Sequence, residues 1–165
     1  MKPARIILFI LISTSVHAQF LEQKLLKVNG LSFVSGQDQI IAAFGQPDQT
    51  YEPNYDCGFL SSEEQGKTFY SLVYSGLKFT GNKSDNYLIE EVDLRKNSSL
   101  KIRYKDHNLN SVSSAKELAE ILGIKPNSEY ETNTTLKVFF QNSDDAIFFL
   151  FKNGKLVKLD YWSPC

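Results

Sequence analysis

Apolar residues recur along this chain in two phases, one helical and one alternating. Ile40, Ile41 and Phe44 form a short helical stripe. Ser35 stands before it as the predicted N-cap, with Asp38 near the positive end of the helix. Gly45 suits a left-handed stop, and Pro47 prevents continuation. The same logic returns near Ser114. Ala115, Leu118, Ala119 and Leu122 follow the i, i+3, i+4, i+7 spacing of a buried face. Ser114 and Glu117 are spaced as a capping box, and Gly123 with Pro126 closes the segment. Each helix has about three turns or fewer, so each depends on packing for its stability.

Strand periodicity fills much of the rest. Thr68–Phe79 and Tyr87–Leu94 are predicted strands in the first half. Thr135–Phe140, Ala146–Phe151 and Lys155–Tyr161 are predicted in the second, and Lys101–Tyr104 is a short strand expected to close the first unit. Gly81-Asn82, Asn97-Ser98-Ser99 and Asn153-Gly154 are expected turns, the last a strong hairpin signal. Ile89-Glu90-Glu91-Val92-Asp93-Leu94 matches Leu156-Val157-Lys158-Leu159-Asp160-Tyr161, with apolar residues at the same places and Asp at the fifth. The offset between the halves is 78 residues at the helix stops and 67 at these strands, so the repeat is approximate.

The expected fold class is therefore α+β. Two similar halves, about 31–104 and 113–161, each pack a short helix on antiparallel strands, in one combined or paired sheet. The main asymmetry is the connector from about Asp48 to Lys67. It holds Tyr51, Tyr55, Cys57 and Phe59, and its counterpart after Pro126 is about half as long. Loops beyond about 12–15 residues in compact domains are often functional or disordered.

Met1–Ala18 has the form of a signal peptide. Lys2 and Arg5 precede an apolar run, and Val16-His17-Ala18 resembles a cleavage site, which predicts a mature chain starting at Gln19. The run falls short of the roughly 20 residues that span a bilayer. These features predict a periplasmic or secreted protein without stable membrane insertion. About 147 of the 165 residues remain after cleavage, a size suited to one domain. Losing Lys2 and Arg5 changes the formal net charge from −1 to about −3, which argues against a nucleic-acid partner. The 12 Phe and 8 Tyr favour a sheet-rich core. Cys57 and Cys165 most simply form one disulfide in an oxidising compartment, the alternatives being free thiols or an intermolecular bridge.

The helix stop Phe44-Gly45-Gln46-Pro47, the Tyr-rich strand after it and the apolar-Asp-apolar ending at Val92-Asp93-Leu94 resemble the helix-helix-sheet repeat of the β-lactamase inhibitor protein family. Related to it is the small outer-membrane lipoprotein of the β-barrel assembly machinery. The likeness covers Leu31–Leu94 and, more weakly, Ser113–Tyr161. It implies a binding module that uses a curved sheet face and loops. The chain departs from the pattern in two places. The mature first residue is Gln19 and not a lipid-bearing Cys, and only one disulfide can form where the inhibitors usually have one in each repeat.

Catalytic chemistry is not signalled. His107, in a polar stretch, is the mature chain's single histidine, and no nucleophile-base, zinc-protease, phosphate-loop or dinucleotide motif occurs. Glu63-Glu64 and Glu90-Glu91 are adjacent pairs whose side chains a regular strand would send to opposite faces. Asp144-Asp145 reads as a turn. Asp85, Asn86, Asp106 and Asn108 lack the spacing of a calcium loop. Neither a metal nor a cofactor is expected. The function expected is non-enzymatic binding of an envelope or extracellular protein through one sheet face and the connector. Aromatic anchors at Tyr51, Tyr55 and Phe59, then Tyr70 and Tyr74, are the candidate contacts. Trp162, beside Cys165, reads as a packing residue. The alternatives are a secreted hydrolase with dispersed carboxylates and a small-ligand carrier.

Overall fold

The computed structural model describes residues 20–53, 66–123, 131–132 and 134–164. The leader, Tyr55, Cys57, Phe59, Cys165 and the proposed disulfide lie outside the described residues. The protein is a largely β, mixed α/β structure with two helices and mostly antiparallel strands in two sheets among the described residues. The helices are α1 (Gln37–Phe44) and α2 (Ala115–Leu122).

The larger sheet contains two antiparallel meanders. One comprises β4 (Gln49–Tyr51), β5 (Tyr70–Tyr74), β6 (Leu77–Asn82) and β7 (Asn86–Asp93). The other comprises β10 (Glu131–Thr132), β11 (Thr135–Phe139), β12 (Ala146–Lys152) and β13 (Lys155–Trp162). Their last strands meet, giving the order β10-β11-β12-β13-β7-β6-β5-β4. The short β3 (Val34–Ser35) pairs with the other end of β7. The smaller sheet has the order β2-β1-β8-β9, from β1 (Leu26–Val28), β2 (Leu31–Ser32), β8 (Ile102–Tyr104) and β9 (His107–Leu109). One apolar core joins the two sheets: Leu26, Val28, Ile102, Tyr104 and Leu109 belong to the same cluster as Leu72, Phe79, Ile89, Val92, Phe149 and Leu159.

Helix α2 starts and stops as its local chemistry dictates. The Ser114 hydroxyl accepts the Glu117 N–H at 3.1 Å, the Glu117 carboxylate accepts the Ser114 N–H at 3.4 Å, and Gly123 is left-handed. Helix α1 begins one residue later than expected. Gly36 is its N-cap, and the Gly36 N–H donates to the Gln39 side chain at 3.0 Å. Ser35 instead ends β3 with its hydroxyl donating to the Ser32 carbonyl, because pairing of Ser35 with Tyr87 keeps its backbone extended.

Three strand and turn expectations change, and a fourth holds. Thr68–Phe79 is a hairpin and not one strand, since Ser75-Gly76 turns the chain with Gly76 at φ +73°. Gly81-Asn82 lies within β6. The turn follows it, where the Asn82 side-chain oxygen accepts the N–H groups of Ser84 and Asp85. Gly81 serves close approach: a Cβ there would collide with the Asn86 carbonyl. The strand expected over Lys101–Tyr104 is β8, which joins the smaller sheet through β1 and does not close the first meander. Asn153-Gly154 does form the tight turn between β12 and β13, with φ of +53° and +72°.

Two bulges sit at matched places. Across β6 and β7, Lys78 opposes Glu91 and Phe79 opposes Ile89, leaving Glu90 unopposed. Across β12 and β13, Leu150 opposes Lys158 and Phe151 opposes Leu156, leaving Val157 unopposed. Each extra residue restores the alternation, so that Ile89 and Val92, and likewise Leu156 and Leu159, all reach the core although three positions separate them. Where the meanders meet, Glu91 faces Asp160, Val92 faces Leu159 and Asp93 faces Lys158.

Candidate functional site

Strand alternation sends Leu72, Phe79, Ile89, Val92, Leu159 and Phe149 to the core face of the larger sheet, and their neighbours to the other face. That outer face carries a continuous cross-strand row. Register places Gln49, Val73, Lys78, Glu91, Asp160, Phe148 and Lys137 side by side across seven strands. A second row runs Tyr51, Ser71, Thr80, Leu88, Val34. Tyr51 and Val34, at its ends, are 43% and 40% exposed.

The centre of the face is a half-buried charge network. Lys78 Nζ lies 2.6 Å from Glu90. Lys158 lies 3.0 Å from Glu91 and 2.7 Å from Asp160, and Lys96 lies 3.3 Å from Glu91. Glu90 also accepts from the Thr80 hydroxyl, which is bonded to Ser71 at 3.1 Å. Adjacent Glu90 and Glu91 both face this side, contrary to the expectation for a regular strand, because the bulge at Glu90 breaks the alternation.

The acids of this network differ in proton affinity. Burial raises Glu91, but hydrogen bonds from Lys158 and Lys96 outweigh it and hold the carboxyl below its usual range. Burial pushes the Asp160 carboxyl up, and the negative charges of Glu91 and Glu90 add to the effect against the pull of Lys158. For Lys78 and Lys158 burial acts downward, and the paired carboxylates more than offset it, so both ammonium groups are held in the charged form.

Among the described residues, the predicted aromatic contacts Tyr51, Tyr70 and Tyr74 do not form one surface. Tyr51 lies on the outer face of β4, opposite Ser71. Tyr70 is 40% exposed but belongs to the other phase of β5. It lines an open cleft of about 620 Å³ with Gln37, Thr50, Asn82 and Tyr87. Tyr74 is a core residue and not a surface anchor: it packs against Phe44 and Phe79, and its hydroxyl donates to the Gly45 carbonyl at 3.1 Å. It thereby ties the helix stop to the sheet. Tyr55 and Phe59 lie outside the described residues.

Sequence reasoning missed the far end of the row. Lys137 and Phe139 share the outer phase of β11, Phe148 opposes Lys137, and Trp162 follows Lys158 and Asp160 in the outer phase of β13. The two-residue spacing of Lys137 and Phe139 was the available signal. Meeting Phe148 and Trp162 required the register of three strands. The His107 side of β9 is exposed, and Asp85 is held by Lys67 at 2.7 Å and by the Asn82 amide at 3.1 Å. Among the described residues no helix is long and apolar enough to cross a membrane. No family model, curated protein or solved structure matches this chain.

Proposed function

We propose that this chain is an exported, non-enzymatic binding module of the cell envelope that docks a protein on the outer face of its larger sheet. The observation that carries this reading is the seven-strand row with apolar positions on either side of a salt-bridged centre. The charges there are half-buried and internally paired, so covering them exposes no orphan ion. Tyr51, Val34, Val73, Leu88 and Phe148 supply apolar area around them.

Descent from one duplicated helix-and-meander unit is part of the same reading, and it accords with the resemblance to the β-lactamase inhibitor repeat. Matching each residue of Ile89–Leu94 to the residue 67 positions later pairs the two bulge residues, Glu90 with Val157. The same match leaves the central pairs unchanged when the halves are exchanged: Glu91–Asp160 becomes Lys158–Asp93, and Val92–Leu159 maps onto itself. A local two-fold relation of this kind follows when a unit pairs with its own copy edge to edge.

Placing carboxylates on the exposed apolar ends tests the docking reading. Tyr51→Asp with Val34→Asp should lower capture of the envelope partner by about thirtyfold, as for loss of about 2 kcal/mol at interface anchors. Val112→Asp, at a residue 67% exposed in the segment before α2, is the control. Equal capture by all three proteins refutes the assignment of this face.

A further inference from the structure

The end of the outer face formed by β11, β12 and β13 holds a cation framed by rings. Lys137 Nζ lies 3.3 Å from the Trp162 ring centroid, 4.6 Å from that of Phe139 and 5.3 Å from that of Phe148. Trp162 meets both phenyl rings edge-on, at 6.5 Å from Phe139 and 6.3 Å from Phe148, each with an interplanar angle of 83°. The rings therefore brace one another around the ammonium group. All four residues are half-buried.

Lys137 differs from the lysines of the charge network at the centre of this face. Lys78, Lys96 and Lys158 each pair with Glu90, Glu91 or Asp160, so three cations meet three carboxylates. Among the described residues no carboxylate lies within ion-pair distance of Lys137. Ring quadrupoles attract a cation without cancelling its charge, and they accept its N–H groups only weakly. The low-dielectric rings also strengthen any charge-assisted hydrogen bond formed beside them. Among the described residues Lys137 thus adds a positive group in apolar surroundings beside a centre whose charges are paired.

The geometry points to Lys137, with Phe139, Phe148 and Trp162, as the anion-accepting anchor of the docking face, whose partner is an acidic protein segment with an apolar side chain next to the carboxylate. The carboxylate takes the N–H groups of Lys137 turned away from the rings, and the apolar neighbour covers Phe148 or Trp162. This inference rests on the docking reading above and specifies its chemistry.

Trp162 is the chain's single tryptophan, so its fluorescence reports on this site alone. The test titrates the full chain with acetyl-Phe-Glu-Asp-Phe-amide and with the uncharged acetyl-Phe-Gln-Asn-Phe-amide. The acidic peptide should give a saturable change with affinity about tenfold or more above that of its uncharged counterpart, as for a charge-assisted bond. The preference should shrink when salt is raised from about 20 to about 300 mM. Lys137→Gln should abolish it and Lys137→Arg should keep it, which separates charge from a general packing role. Equal binding of the two peptides, or an undiminished preference in Lys137→Gln, overturns the inference. So does saturable binding of tetramethylammonium that displaces Lys137, since the rings would then be a site for cations. Partner capture sensitive to Tyr51 and Val34, together with no acidic preference here, would leave the docking face standing and remove only this anchor.

Discussion

Asp93 offers a direct test of how burial and pairing set the stability of the central strands. It ends β7, is 1% exposed, and its carboxylate accepts three hydrogen bonds from one residue. Oδ1 receives the Arg95 backbone N–H and Nε, each at 2.9 Å, and Oδ2 receives Nη2 at 2.7 Å. These Arg95 bonds outweigh burial and hold the carboxyl at about 2 against its ordinary 3.8. That difference corresponds to about 2.5 kcal/mol of stability in favour of the ionised form. Because the folded-state value is depressed, the contribution is fully present above the unfolded pKa. It is lost as pH falls from about 4 towards 2. Asp93→Asn keeps the shape and removes the charge, so it should destabilise by about 2–3 kcal/mol at pH 7. Urea unfolding followed by Trp162 fluorescence, for both proteins at several pH values, gives the difference directly. The gap should narrow steadily between pH 4 and 2. A gap that stays constant with pH, or is absent at pH 7, refutes the assignment of the stabilisation to an ionised Asp93.

Two further outcomes follow from the backbone. Gly81→Ala should cost about 3 kcal/mol, because the new Cβ would collide with the Asn86 carbonyl and lie 2.6 Å from Tyr87 Cα; urea unfolding with a midpoint matching wild type would show that the hairpin has room to shift. Deleting Glu90 takes out the bulge residue and leaves Ile89 and Val92 two positions apart, so regular alternation still sends both to the core, and what is lost is the ion pair of Glu90 with the half-buried Lys78. Loss of that pair should destabilise by about 1–3 kcal/mol and lower the melting temperature by a few degrees, whereas loss of the cooperative thermal transition would mean that the core register depends on the bulge itself.

Legibility along the chain followed the range of the interactions involved. Ser114, Glu117 and Gly123 define α2 by bonds within one turn, and such bonds are written in adjacent residues. Asn153-Gly154 specified its hairpin for the same reason. Ser35 misled because its cap competed with a long-range pairing to Tyr87, and the pairing won. Tyr74 looked like a surface anchor because aromatic rings serve cores and interfaces alike. The alternation of β5 and contact with Phe44 decided between them. Lys101–Tyr104 was recognisable as a strand, but its partner β1 lies more than 70 residues earlier, and nothing local names the sheet it joins.

By itself the sequence determined the short-range units: two small capped or glycine-stopped helices, the alternating strands, and the matched stretches ending in Asp93 and Asp160. The tertiary structure decided what those matched positions became. Asp93 is held strongly ionised by Arg95, two residues along the chain, whereas burial beside Glu91 of the neighbouring strand raises Asp160, so the matched acids part company through what each is packed against. The same holds for the outer face. Lys137, Phe148 and Trp162 lie on three strands, and only sheet register, settled by which side chains the core could bury, brought them together.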